Sequence, residues 1–178
     1  MRFADRIVTM HTALADAGIG HGFGGAIALA YAVEEPRATV DIDLNITGDP
    51  DHPEPVLRAL PPGTRWGKRD VAAIRHDGQV RLWWDDTPVD LFFPQHELHA
   101  LVASRYRTVP FAGTTIPVLS PTDLIVFKAL FNRTKDWADI EAVVDAGTAD
   151  VTEALEWIER ISGAEGPSYA RLRSLVED

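Results

Sequence analysis

Apolar residues recur at helical spacing over residues 3–16, where Ile7, Met10 and Leu14 share one stripe and Gly18 supplies a stop. The glycine-rich run GIGHGFGG, 18–25, leads into AIALAYAV, 26–33, a small-residue apolar helix that must be buried on most sides. Pro36 ends it, because proline biases its predecessor away from helical geometry. Thr39 to Leu44 then alternates strictly, which is the strand period. That alternation puts Asp41 and Asp43 on one face and turns Val40, Ile42 and Leu44 toward a core. The stretch 47–67 is rich in Pro, Gly, Asp and His and reads as loop around one short helix near 55–60. From Asp70 to Phe93 the pattern predicts a meander. Strand VAAIRH turns at Asp77-Gly78 into QVRLWW, which turns at Asp85-Asp86-Thr87-Pro88 into VDLFF. Gly113 marks a further turn between two short β-like runs, 106–111 and 115–119.

Beyond residue 119 the pattern is helical. Ser120-Pro121-Thr122-Asp123 combines a capping serine, proline at the first position and an acid in the first turn. A second helix is expected from about Asp136 to Gly147. A third is capped by Asp150 with Glu153 and runs to Gly163, and Pro167 opens a fourth. The fold class is therefore α+β: a mixed twisted sheet flanked by helices over roughly 20–119, then a C-terminal helical segment, 120–178.

Composition narrows the picture. The 178 residues are 46% hydrophobic, enough for one domain or a domain with a small helical annex. No run approaches the ~20 apolar residues of a membrane span, and Asp5, His11 and Asp16 interrupt any signal-peptide core, so a soluble cytoplasmic protein is expected. With no cysteine, disulfides, thiolate catalysis and Cys-ligated zinc are excluded. A formal net charge of -10 argues against a general nucleic-acid binder. The charge is uneven: Arg65, Lys68, Arg69, Arg75 and Arg81 cluster mid-chain, whereas 153–165 is mostly acidic, and both stretches read as solvated surface.

Candidate chemistry begins at Asp41 and Asp43. Adjacent carboxylates repel, and a divalent cation with hard oxygen ligands, such as Mg2+, removes the conflict. The competing reading is an edge strand with two solvated acids. Asp90 sits in the otherwise apolar strand VDLFF, where a carboxylate costs several kcal/mol unless paired or bound to metal. If that strand neighbours VDIDL, three carboxylates meet, as two-metal phosphoryl chemistry requires. Alternatively, Asp90 pairs with an arginine such as Arg81. Gly24-Gly25 stands just before a helix, whose N-terminus and bare backbone N–H groups can hold phosphate oxygens. GHGFGG also spells the G-x-G-x-x-G of dinucleotide sites, but an amphipathic helix, not a strand, is what precedes it. Lys128 falls in the stripe of Leu124, Phe127 and Phe131, either snorkelling or meeting an anion.

Gly24-Gly25, a helix, Arg37-x-Thr39-x-Asp41-x-Asp43 and a later hydrophobic-Asp90-hydrophobic strand resemble the DNA polymerase β-type nucleotidyltransferase superfamily. The form R-x-T-x-D-I-D-L, with Lys128 and Lys135-Asp136 downstream, is similar to its AbiEii/MenT-like toxin branch. The resemblance implies a nucleotidyltransferase fold, with a catalytic core over 1–119 and the helical segment 120–178 packed on it. It implies Asp41, Asp43 and Asp90 as ligands of Mg2+ or Mn2+, and Gly24, Gly25, Arg37, Thr39, Lys128 and Asp136 around an NTP. The implied reaction moves a nucleoside monophosphate to an acceptor hydroxyl, with pyrophosphate released. RNA such as the tRNA 3′ end is then the acceptor and a cognate antitoxin protein the partner. Two alternatives stay open: a small-molecule acceptor such as an aminoglycoside, which the acidic net charge favours, and a non-catalytic binding module on the same fold.

Other features carry less. His96 and His99 lack a third close ligand for zinc and read as surface. Asp139 reads as an acid favoured by a helix dipole. Trp66, Trp83 and Trp84 could stack a base near the basic cluster, but adjacent tryptophans in a strand must face opposite ways, and core packing is the favoured reading.

Overall fold

The computed structural model describes residues 1–177, which divide into two units. The first unit comprises Met1–Gly25 with Ala38–Val118 and holds every strand among the described residues. In chain order it carries α1 (Phe3–Asp16), β1 (His21–Phe23), β2 (Ile42–Ile46), α3 (Glu54–Ala59) and β3 (Thr64–Arg65). α4 (Lys68–Asp77), β4 (Gln79–Trp84), β5 (Thr87–Phe92), α5 (Glu97–Ser104), β6 (Arg107–Phe111) and β7 (Thr114–Val118) complete it. The strands form one mixed sheet in the order β3-β4-β5-β2-β1-β7-β6. β2 runs parallel to β5 and antiparallel to β1, so the VDIDL and VDLFF runs are indeed neighbours.

One face of this sheet is covered. Ile42, Leu44, Leu82, Trp84, Val89 and Leu91 are buried, as are Ile7, Met10 and Leu14 of α1. The buried Arg6 of α1 donates to the Trp84 carbonyl at 2.8 Å and lies over its indole ring, which places α1 on the Trp84 side. Trp83, one residue earlier, points the other way and is 45% exposed. Core packing describes Trp84 but not Trp83 or Trp66.

Three local readings are corrected by the fold. VAAIRH is not a strand but the body of α4, and Asp77-Gly78 is not a hairpin turn. Val71 and Ile74, three apart, are its buried face; Gly78 closes the helix at φ 65°, and its N–H reaches the Ile74 carbonyl at 2.8 Å. The same glycine suits a hairpin or a helix end, because both need a left-handed residue. Val40 is 72% exposed, since the strand starts only at Ile42 and the alternation before it belongs to a loop. The glycine run contains β1, short because glycines flank it, and Gly22 lets the Tyr106 ring lie where a Cβ would stand.

The second unit comprises Ala26–Arg37 and the chain from Leu119 onward. Here α2 (Gly25–Ala32) accompanies α6 (Pro121–Phe131), α7 (Thr134–Ala146), α8 (Val151–Ser162) and α9 (Pro167–Glu177). α6 is buried almost all round, so no apolar stripe is distinguishable; Phe131 at its end is 41% exposed. Side chains close the bundle: Ser168 Oγ donates to the Ala129 carbonyl and Thr148 Oγ1 to the Ala32 carbonyl, each at 2.7 Å. The Ser120 and Asp150 caps form as expected, accepting from the N–H of Asp123 and Glu153. Among the described residues, no helix is long and apolar enough to cross a membrane.

Candidate functional site

The other face of the first unit's sheet carries Asp43 and Asp90. Asp43 and Asp90 are direct partners across the β2–β5 ladder, so their side chains stand next to each other on that face. Arg81 opposes Asp90 across β4–β5 and grips it with both arms of its fork, Nε to Oδ1 at 2.8 Å and Nη2 to Oδ2 at 2.6 Å. The same Nη2 reaches Asp41 Oδ2 at 3.1 Å. One nitrogen therefore gathers two of the three carboxylates, two hydrogen-bond lengths apart at most. Its bonds to Asp90 hold the Arg81 guanidinium well above its usual pKa. Asp41 precedes the strand and is positioned locally, its N–H bonding Thr39 Oγ1 at 3.2 Å.

The glycine pair is bound to the same strand. The Gly24 N–H donates to the Asp43 carbonyl at 2.9 Å, so it extends the ladder and is not bare, as a phosphate donor would be. Gly25 has φ +50°, and a Cβ there would collide with Asp43 Oδ2. Gly25 is thus the residue against which the Asp43 carboxylate packs.

Among the described residues, no group of three or more His, Cys, Asp or Glu side chains is arranged to hold a metal ion. The donor chemistry nevertheless fits one. Asp43 and Asp90 share a face, and a guanidinium nitrogen already serves Asp90 and Asp41 as a stand-in cation. Metal–oxygen bonds of about 2.1 Å are shorter than these contacts, so a bound ion requires Arg81 to withdraw.

The remaining expected residues lie in the second unit. Arg37 is exposed in the loop after α2. Lys128 is buried and donates to Asp139 Oδ2 at 2.6 Å and to Asp136 Oδ1 at 3.4 Å. Asp136, fully buried, also takes Arg133 Nε at 2.6 Å. The anion Lys128 meets is thus a pair of carboxylates from α7, and Asp139 is an ion-pair partner as well as an acid near a helix start. Burial alone raises the Asp136 carboxyl, but the bonds and charges of Arg133 and Lys128 outweigh it and hold it below the usual range. Asp136→Asn is expected to lower unfolding free energy in urea at pH 7 by about 3–5 kcal/mol, because two cations lose a buried partner. A lowered pKa stabilises above the unfolded value and is lost as pH falls through the folded one. The gap between wild type and variant should therefore shrink below about pH 4.

The rings of His96 and His99 have centroids 4.5 Å apart and are half-buried, not surface; burial first, then His96, pushes His99 down to about 4.

No family model and no curated protein matches this sequence. Solved structures do match. ANT(2'')-Ia, an antibiotic-resistance factor, aligns in its solution structure over 98% of this chain and 92% of its own, at 14% identity and a TM-score of 0.57. In complex with adenylyl-2''-tobramycin it aligns over 96% and 97%, at 14% identity and 0.58. An antigenic nucleotidyltransferase-like protein from Paracoccidioides brasiliensis aligns over 97% and 91%, at 18% identity and 0.53. This is a nucleotidyltransferase fold. In it, the neighbouring strands β2 and β5 of the mixed sheet carry Asp43 and Asp90, and Gly25 lies against Asp43.

Proposed function

We infer that this chain transfers a nucleoside monophosphate from an NTP to an acceptor hydroxyl. The observation that carries the reading is Asp43 beside Asp90 across the ladder, with Asp41 joined to Asp90 through Arg81 and Gly25 against Asp43. In this reading the acceptor oxygen bonds to the α-phosphorus while the bond to the β-phosphate oxygen breaks, and pyrophosphate leaves. Asp90, on the acceptor side, takes the hydroxyl proton and passes it to solvent. Asp41, Asp43 and Asp90 would hold Mg2+ or Mn2+, which would supply Lewis-acid chemistry at the phosphate. Thr39 fixes the Asp41 backbone, and Gly25, at the start of its helix, would offer its N–H to a phosphate oxygen. Arg81 releases both carboxylates when nucleotide is loaded.

The finer assignment is to the AbiEii/MenT-like toxin branch, with an RNA acceptor such as the tRNA 3′ end and an antitoxin as partner. It rests on the R-x-T-x-D-I-D-L run and on Lys128 with Lys135-Asp136. A second reading takes a small cationic acceptor such as an aminoglycoside, favoured by the net charge of -10 and by the likeness in fold to ANT(2'')-Ia.

The test is incubation with each NTP labelled at the α- or the γ-phosphate, Mg2+, and either total RNA or aminoglycosides. Label should pass to an acceptor from the α position alone. Failure of all four NTPs with both acceptor classes overturns the reading.

A further inference from the structure

The first unit carries a groove between α3 and α4, on the side of the sheet opposite Asp43 and Asp90. α3 lies against α1, and α1 is on the Trp84 side, whereas Arg81 and its partner Asp90 face the other way. Helical spacing builds the groove. On α4, Lys68, Val71, Ala72 and Arg75 recur at intervals of three or four and so share one face. Glu54 and Arg58, four apart on α3, line it from the other helix, and Trp66, two residues before α4, lines it as well. The volume is about 730 Å³. Arg75 ties the two walls together, donating from Nη2 to Glu54 Oε1 and from Nε to the Asp51 carbonyl, each at 2.9 Å.

That tie neutralises Glu54, the acid of the lining, and His76 at the rim is paired with Asp77 at 2.7 Å. Arg58 and Lys68 are exposed, and among the described residues no carboxylate is paired with either. The Trp66 ring is 37% exposed, and Val71 and Ala72 supply apolar surface between the cations. Charged side chains on an outward helix face need no ligand. An exposed indole continuous with apolar surface in a concave groove, rimmed by charge, is the form that protein interaction sites take.

Charge selects the occupant. The chain has 17 cations and 27 acids, yet the two uncommitted charges of the groove are both positive. A polynucleotide brings a phosphate at every step and needs a run of cations, which two cations flanking apolar residues, with Glu54 in the wall, do not supply. A helix with an apolar stripe between acids matches both features. From Lys68 to Arg75 the α4 face is about 10 Å long, or two helical turns, which suits such a segment.

We propose that the α3–α4 groove is the docking surface for an acidic amphipathic helix of a partner protein. A large apolar side chain of that helix packs on Trp66 and Val71, and carboxylates beside it meet Arg58 and Lys68. The surface is separate from the acids on the other sheet face, so the proposal does not rest on the transferase reading.

Fluorescence anisotropy of the full chain, without NTP or metal, tests the groove. The probe is a labelled alanine-based helical peptide of about 16 residues, with Leu at i and i+4 and Glu flanking that stripe. Trp66→Ala should weaken binding about tenfold or more, and Trp66→Phe, which keeps an aromatic ring, should stay near wild type. Arg58→Gln combined with Lys68→Gln should weaken binding severalfold and flatten its dependence on salt. Trp83→Ala, an exposed tryptophan on the other sheet face, should change nothing. The same peptide with Lys for every Glu, or with Ala for both leucines, should bind about tenfold more weakly or worse. No saturable binding of the Glu/Leu peptide at about 1 mM, or binding indifferent to Trp66, Arg58 and Lys68, overturns the surface. A single-stranded oligoribonucleotide that binds through Trp66 where the peptide does not overturns the class of partner. Label transfer from NTP bears on the transferase reading alone, so the two fail separately.

Discussion

Asp43→Asn is expected to abolish nucleotide transfer, by about a thousandfold or more, while the protein remains folded. The substitution keeps the shape of the side chain and removes one of the three charges that Asp41, Asp43 and Asp90 bring to the site. Asp43 lies beside Asp90 across the ladder and two residues from Asp41, so it is central to the set. Metal-assisted phosphoryl transfer draws several kcal/mol from charge held at the reacting phosphate, and each ~1.4 kcal/mol is a factor of ten in rate. Relief of carboxylate repulsion makes the variant's melting temperature equal to or higher than that of the wild type. The two readouts move apart, which a merely structural role for Asp43 does not allow. Retention of transfer by a folded Asp43→Asn protein would remove these acids from the chemistry. A thermal shift with Mg2+ that is present in the wild type and missing in the variant checks the same point without turnover.

How much of the fold is legible in the chain depends on the kind of signal. The C-terminal helices announce themselves because their boundaries are written locally: Ser120 and Asp150 cap, and Gly147 closes α7 at φ 64°. α4 misleads for a reason equally local. Val71, Ala72, Ala73 and Ile74 fit a buried strand or a helix face, and only the Gly67 N–H bonded to Asp70 Oδ2 at 2.7 Å marks a helix start. Neither glycine nor aspartate at those positions is decisive alone. The alternation from Thr39 to Asp41 predicts β2 too early, because that stretch has no partner strand beside it.

The site is partly readable for the same reasons. The spacing of Asp41 and Asp43 predicts a shared strand face, but Asp41 lies before the strand and meets Asp90 through Arg81, and that Asp90 stands beside Asp43 depends on which strands pair across more than forty residues. The role of Arg81 is harder to see. Its contact with Asp90 is one of two alternatives the sequence leaves open, and in the fold it is compatible with the other, since a guanidinium serving Asp41 and Asp90 stands where a cation belongs. Residue type alone assigns Trp83 to the core, yet its neighbour Trp84 occupies that place. The strand period decides that one of the pair is inside; only packing of α1, through Arg6, decides which.

Gly25→Ala is expected to cut transfer about a hundredfold or more, with a loss of stability of about 1–2 kcal/mol from the left-handed backbone alone. At φ +50° a methyl group is strained whatever surrounds it, and here it would also collide with Asp43 Oδ2 and lie 2.5 Å from Cγ. The carboxylate has to rotate away, and its displacement takes it from Asp90, its partner across the ladder. Gly113 separates the two costs. It has φ +84° with nothing within 4 Å of where a methyl group would stand, so Gly113→Ala suffers the backbone penalty without the collision. Both variants should melt lower than wild type, by chemical denaturation or heating, and only Gly25→Ala should lose transfer. Equal activity in the two would mean that the close approach of Gly25 to Asp43 does not hold that carboxylate in its working position.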